Sequence, residues 1–316
     1  MGNGALPILA AVFHKRFASV CEQNLRGVYM DKDVISAIEK NYSGFSKSQR
    51  RIAEYLSNNF DKAAFMTAAR LGKTVGVSES TVVRFASELG FDGYPGMRKA
   101  LQEMIRTHST SIQRIKVTRD VMGTKDVLDT VLHWDMEKLR TTAEETSREA
   151  FNAAVKAIAG ARRIYILGTR SSKALSVFMG FYLKLLFDDV RVVDDTSITE
   201  IFEQMMRLSD EDVVIGISFP RYSSRTVRTL EFARDRSATV IGITDNIDSP
   251  IAKVSELKLL AKSDMVSFVD SLVAPLSLIN ALIVALGSET GDKLSRTFSE
   301  LENLWSEYGV YEKSDK

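Results

Sequence analysis

From about residue 160 onward, short apolar runs and amphipathic stretches take turns along the chain, and few folds accommodate that order. The runs are 164–167 (Ile-Tyr-Ile-Leu), 191–193, 213–217 (Val-Val-Ile-Gly-Ile), 239–243 and 257–261. Helical patterns fit at 172–187, 197–207, 224–235 and 271–287. Strands alternating with helices build a parallel sheet covered by helices on both faces. In such sheets ligands sit beyond the carboxyl ends of the strands, near helix N-termini. The residues just after each strand should therefore carry the chemistry.

After the first run stands Gly168-Thr169-Arg170-Ser171-Ser172. After the third stands Ser218-Phe219-Pro220-Arg221-Tyr222-Ser223-Ser224-Arg225-Thr226, with four Ser/Thr hydroxyls and two arginines in nine positions. Free backbone N–H groups at a helix start favour an anion. Hydroxyls donate to phosphate oxygens, and arginine adds charge with a forked donor set. Gly168, Arg170, Ser171, Ser172, Ser218, Arg221, Ser223, Ser224 and Thr226 are thus candidate ligand contacts. Strand-to-helix turns also use Ser or Thr simply as caps; two such loops in one sheet, each with arginine, favour the anion reading. Neither loop ends in the Gly-Lys-Ser/Thr of a P-loop, and Gly168 lacks the later glycines of a dinucleotide fingerprint.

The first part of the chain, 30–106, has helical period and no convincing strand. Ser46 with Gln49 three residues later reads as a capping box, and Ile52, Leu56 and Phe60 follow as one apolar stripe. In Met66–Phe91, Thr67 caps a helix bearing Ala68, Leu71 and Val75. Gly76 supplies the positive φ that stops it, and Val77 plugs the turn. Ser78 caps a second helix, with Glu79 in its first turn, Val82, Ala86 and Leu89 facing inward, and Gly90 at its end. Two short helices joined in this way form a helix-turn-helix; a small bundle with a merely solvated polar face is the alternative. The outward face then offers Ser78, Ser80, Thr81, Arg84 and Ser87, chemistry suited to base edges in a major groove. Lys47, Arg50, Lys73, Arg98 and Lys99 could hold flanking phosphates. Residues 31–110 hold twelve Lys/Arg against nine Asp/Glu, a net charge of +3, so tight binding of DNA calls for two copies.

Net charge over the whole chain is +1, so no global field points to nucleic acid or membrane. The one cysteine, Cys21, excludes an internal disulfide framework and a cysteine-based zinc site, and fits a cytoplasmic setting. No apolar run is read as reaching membrane-spanning length, so no membrane partner is expected. Residues 1–29 read as a disordered extension or a mis-assigned start: the apolar stretch Ala5–Phe13 precedes its basic pair, the reverse of a signal peptide. Residues 107–123 read as a linker or frayed helix end, with further helices at 124–142 and 147–160. Of the three histidines, His14, His108 and His133, none lies in the strand-end loops. Asp194, Asp195 and Glu200 read as helix-start carboxylates. No catalytic group, metal site or cofactor is therefore expected. Met179, Phe181, Tyr182 and Leu185 read as helix packing or a subunit interface, and the pair Met205-Met206 as core.

On these motifs the chain resembles the RpiR (MurR/RpiR) transcriptional regulators. "GVSESTVVRFASELGFDGYPGMRKAL" looks like that family's DNA-binding segment; "GTRSSKAL", "LSDEDVVIGISFPRYSSRTV" and "VIGITDNIDSPIAKVSELKLLA" look like its sugar isomerase (SIS) segments. The resemblance implies an all-α helix-turn-helix N-terminal domain (30–106), a linker (107–123), an α/β three-layer SIS domain with a five-stranded parallel sheet (124–290), and a C-terminal helix and tail (291–316). It implies a DNA-binding regulator, commonly a repressor, that acts as a homodimer or homotetramer on double-stranded operator DNA. A phosphosugar effector would bind at Ser172, Ser218, Ser223 and Thr226. Pro220-Arg221 stand where SIS domains commonly have Ser-Gly, which weakens any transfer of ligand identity. The alternative is a phosphosugar isomerase or lyase.

Overall fold

The computed structural model describes residues 34–108, 111–124, 126–193, 197–265 and 267–311. Cys21, His14, Asp194, Asp195 and the 1–29 extension lie outside them. The chain divides into two units, with the boundary between Ile105 and Arg106.

The first unit is helical: α1 (Val34–Asn41), a 3-10 turn (Tyr42–Gly44), α2 (Lys47–Ala63), α3 (Ala68–Val75), α4 (Glu79–Glu88) and α5 (Gly93–His108). The capping box opening α2 is present: Ser46 N–H donates to Gln49 Oε1 at 2.8 Å and Gln49 N–H to Ser46 Oγ at 3.4 Å. Ile52, Leu56, Leu71, Val82, Phe85, Met97 and Leu101 are fully buried in one core. A buried Phe or Leu contributes on the order of 2–3 kcal/mol, so these residues fix how the short helices meet. Phe60, expected on the same stripe as Ile52 and Leu56, is only half buried, because Asn59 (φ −141°, ψ 36°) breaks the helical register just before it.

The second unit opens with α6 (Ser111–Met122), α7 (Val127–Glu145) and α8 (Arg148–Gly160). Then come β1 (Arg163–Gly168), α9 (Ser172–Leu186), β2 (Val190–Val192), α10 (Ile198–Gln204), β3 (Asp212–Ile217), α11 (Ser224–Asp235), β4 (Thr239–Thr244), α12 (Pro250–Val254), β5 (Leu257–Leu260) and α13 (Val273–Tyr308). The five strands are all parallel, in the order β2-β1-β3-β4-β5. Alternate strand residues serve opposite faces. Ile164, Ile166, Val213, Ile215, Ile241 and Ile243 pack with α8, α9 and α13, whereas Tyr165, Leu167, Val214 and Val240 pack with α10, α11 and α12. This is the expected three-layer α/β architecture. At the amino edge the buried Asp212 accepts from Arg162 Nε at 3.0 Å and Nη2 at 2.8 Å, which fastens the start of β3 to that of β1.

Three findings depart from the sequence reading. The 107–123 stretch, read as a linker or frayed helix end, contains a regular helix of 12 residues, α6. Val273–Gly291 in α13 is, with 19 residues and a mean hydropathy of 1.5, long and apolar enough to cross a membrane, against the expectation that no run reaches that length. Leu278, Ile279, Leu282 and Leu286 of that stretch lie in the sheet's core, which explains its composition. Met206 is exposed, while its neighbour Met205 is fully buried.

Candidate functional site

The chain leaves β1 outward to β2 and then crosses back to β3, so its direction of travel reverses between β1 and β3. That switch point opens a crevice at the carboxyl edge. The register pairs Gly168 with Ile217, so the two hydroxyl-rich loops emerge side by side.

In the first loop Gly168, Thr169 and Ser172 are buried, while Arg170 and Ser171 are exposed. Arg170 adopts a left-handed φ of 55°, uncommon for a side chain that is not Asn or Asp. Ser171 occupies the N-cap of α9 without making a side-chain cap bond. The amides of the first turn are engaged in tight bonds: Ser172 N–H to Thr169 O at 3.1 Å and Lys173 N–H to Arg170 O at 3.1 Å. Free amides at this helix start, expected from the sequence, are therefore not what the loop offers at these two positions.

In the second loop Ser218 is buried; its N–H donates to Ile243 O at 3.1 Å and its Oγ accepts from Ser223 N–H at 3.2 Å. Ser223 caps α11 by accepting from Thr226 N–H at 3.4 Å. Both serines thus shape the loop. Thr226 is fully buried and its Oγ1 has no hydrogen-bond partner. Arg221, Ser224 and Arg225 are exposed. The sequence reading missed a third contributor to this edge: Asp245, buried just after β4, accepts from Tyr222 Oη at 2.8 Å and from Thr244 Oγ1 at 3.3 Å. The rule that residues after strands carry the chemistry would have found it if applied to β4. Among the described residues no group of three or more His, Cys, Asp or Glu could hold a metal ion.

In the first unit, Gly76 ends α3 in the left-handed region (φ 69°, ψ 44°), and Arg51 Nη1 from α2 donates to its carbonyl at 3.1 Å. Ser78 caps α4: its Oγ accepts from Thr81 N–H at 3.2 Å and lies 2.8 Å from Thr81 Oγ1 and 2.9 Å from Ser80 Oγ. Ser80, Arg84 and Ser87 are exposed, and Thr81 is half buried. Arg84 Nε donates to Ser80 O at 3.3 Å, which lays the guanidinium along the N-terminal half of α4. The inward face holds Val82, Ala86 and Leu89 as expected, plus the larger Phe85, which the periodic reading had not singled out. Lys47 and Arg50 on α2, Lys73 on α3, and Arg98 and Lys99 on α5 are all exposed. Gln49 on α2 donates to Glu88 at the end of α4, so the start of α2, where Lys47 stands, is tied to α4.

Two family models match. One, described as a helix-turn-helix domain of the rpiR family, covers residues 32–108; the other, the SIS domain, covers 157–285. An uncharacterized HTH-type transcriptional regulator of Clostridium perfringens is 25% identical over 268 residues, 82% of this chain and 95% of that protein. A second such regulator, from Haemophilus influenzae, is 25% identical over 236 residues, 72% of this chain and 79% of the relative. The sugar isomerase domain of an RpiR transcription factor from Sphaerobacter thermophilus superposes with a TM-score of 0.53 at 27% identity, covering 56% of this chain and 98% of that structure. The Vibrio vulnificus NanR protein complexed with ManNAc-6P superposes with a TM-score of 0.54 at 21% identity, covering 89% of this chain and all of that one, and shares the fold. The chain thus carries an rpiR-family helix-turn-helix domain followed by a SIS domain, and its relatives are named transcriptional regulators.

Proposed function

We propose that this protein is a cytoplasmic repressor of sugar or amino-sugar genes that binds operator DNA as a homodimer or homotetramer and is controlled by a phosphosugar in its SIS domain. The observation that carries the regulator reading is α4: Phe85, Val82 and Ala86 are fully buried while Ser80, Arg84 and Ser87 face solvent. A helix anchored this firmly on one side presents short hydroxyls and one arginine on the other. That is the chemistry of major-groove readout. Lys47, Lys73 and Arg98 supply phosphate contacts, and a second copy doubles them.

The ligand half of the proposal rests on the paired loops at the β1/β3 switch point. Ser172, Ser218, Ser223 and Thr226 present hydroxyls there, Gly168 allows the close turn, and Arg170, Ser171, Arg221 and Ser224 stand at the exposed rim. The protein uses the ligand to bias one arrangement of its DNA-reading helices rather than to turn it over. For this the ligand must bind that arrangement more tightly than the other. Binding of a phosphosugar without turnover fits relatives named as regulators. One observation favours the isomerase alternative: the buried carboxylate of Asp245 stands at the same sheet edge, where a base for proton abstraction would stand.

A thermal-shift screen against sugar phosphates, ManNAc-6P included, each beside its unphosphorylated parent, tests the reading. A ligand of the native state raises the melting temperature by mass action. The expected result is a shift for a phosphorylated sugar, none for its parent, and loss of the shift in Ser218→Ala with Ser223→Ala. Turnover of the shifting sugar phosphate, with no DNA bound, would instead establish the isomerase.

A further inference from the structure

The helix α6 buries a charged side chain, Arg114, beside Val117. Arg114 is only 6% exposed, whereas Ile112 and Ile115 are 79% and 46% exposed. A buried guanidinium is tolerated only when paired, and here both arms of its fork are used. Nη2 lies 2.6 Å from Asp270 Oδ1, and Nε donates to Ser267 O at 2.8 Å. Both partners belong to the loop between β5 and α13, which leaves the same carboxyl edge as the hydroxyl-rich loops after β1 and β3. Residues of α7 hold that loop too. Asp135 accepts from Ser271 Oγ at 2.6 Å, Lys138 Nζ lies 2.5 Å from Asp264 Oδ2, and Thr142 Oγ1 accepts from Lys262 N–H at 2.9 Å. Such polar fastening fixes one arrangement of parts more than it adds stability.

Inside the fastened loop, Ser263 is fully buried and its Oγ has no hydrogen-bond partner. Among the described residues only one other buried side-chain polar atom shares that condition, Thr226 Oγ1. Both follow carboxyl ends of strands in the same sheet, and β3 and β5 are about 10 Å apart, two strand spacings. A ligand held at Thr226 that also satisfies Ser263 would favour one position of the 261–272 loop.

We infer that Arg114 is the positioning residue that transmits this preference: it locks α6 to the β5–α13 loop, so that the occupied cleft and the helix next in sequence to α5 move as one. The inference rests on the phosphosugar reading above. Asp270 and Arg114 touch neither ligand nor DNA; they set the coupling between the two, which is a free energy separate from either affinity.

The test uses the full-length protein, a DNA fragment selected from a random pool by the wild type, and two probes, ManNAc-6P and glucosamine 6-phosphate, with inorganic phosphate as control. DNA affinity is read by fluorescence anisotropy with and without saturating probe, and probe affinity by calorimetry. In the wild type the active probe is expected to change DNA affinity at least fivefold. In Asp270→Asn, affinity for DNA alone and for the probe stay within threefold of wild type, while the probe's effect on DNA falls below twofold. Asp270→Glu restores the effect. Arg114→Met is expected to match Asp270→Asn; should it fail to fold, the Asp270 pair decides alone. An undiminished probe response in Asp270→Asn overturns this inference and leaves the phosphosugar reading intact. A wild type that binds DNA but responds to neither probe counts against both.

Discussion

Gly168 and Ser172 approach so closely that a Cβ on the glycine would lie 2.9 Å from the Ser172 carbonyl carbon and 3.2 Å from Ser176 Cβ. The obstacle is backbone, so it cannot rotate away. The end of β1 and the first turn of α9 are therefore in direct contact, which sets the depth of Ser172 in the crevice. Gly168→Ala must push that turn outward. The expected cost is about 1–3 kcal/mol of stability, the usual range for overpacking. Sugar-phosphate affinity should fall at least tenfold, or about 1.4 kcal/mol. Melting temperature and calorimetry check the two effects, and an unchanged affinity would mean the first loop does not position the ligand.

Arg84 and Lys73 should fail differently when removed. Arg84 lies along the exposed face of α4, its Nε bonded to Ser80 O; Lys73 is exposed on α3. Arg84→Ala should weaken binding to the selected DNA by about 1–3 kcal/mol and relax preference at one base pair. Lys73→Ala should weaken binding to all sequences alike and lower the slope of log affinity against log salt by about one. Anisotropy titrations at several salt concentrations, on the selected fragment and on a scrambled one, separate these outcomes.

The sheet was legible because parallel strands covered on both faces must be apolar runs, and the runs at 164, 213, 239 and 257 have little else to be. The two loops were legible from topology alone. What escaped the sequence depends on partners distant along the chain. Asp245 acquires its meaning from Tyr222, 23 residues earlier. Arg114 binds Asp270, 156 residues later; with Ile112 and Ile115 outward and Arg114 inward beside Val117, α6 lacks the clean amphipathic signal that marks a docked helix. Nor could spacing distinguish the hydroxyls that cap or pin, Ser223 and Ser218, from Thr226. Met205 and Met206 looked alike in sequence, yet a helix end buries one and exposes the other.

Tyr94 gives the first unit a signature at alkaline pH. It is buried, its hydroxyl donates to Met66 O at 3.0 Å, and burial pushes its pKa up to about 12. An unfolded tyrosine ionises near pH 10. The folded state thus favours the neutral phenol. Its contribution is complete below pH 10 and is lost as pH rises from 10 to 12, by about 2 kcal/mol. Tyr94→Phe should be less stable than wild type by about 1 kcal/mol at pH 8, where the hydrogen bond is lost. The difference should shrink and then reverse between pH 10 and 12, because the phenylalanine variant has nothing there to ionise. Urea denaturation of both proteins across this range provides the check; parallel curves would mean the phenol is not sequestered.

Thr226 allows the sharpest separation of a ligand role from a structural one. Its hydroxyl is buried at the start of α11 without a partner, and the desolvation of such a group costs about 1–3 kcal/mol. Val replaces Thr at nearly the same volume and removes the hydroxyl, while the backbone N–H of residue 226 still donates to Ser223. Thr226→Val should therefore leave the unliganded protein as stable as wild type or more stable, by up to about 2 kcal/mol. If that hydroxyl reaches the phosphate, sugar-phosphate affinity should fall at least tenfold in the same variant. Stability and affinity would then move in opposite directions, an outcome that simple disruption of the loop cannot produce. If both fall together, Thr226 holds the fold rather than the ligand, and the contact with phosphate has to come from Ser172, Ser218 and Ser223 alone.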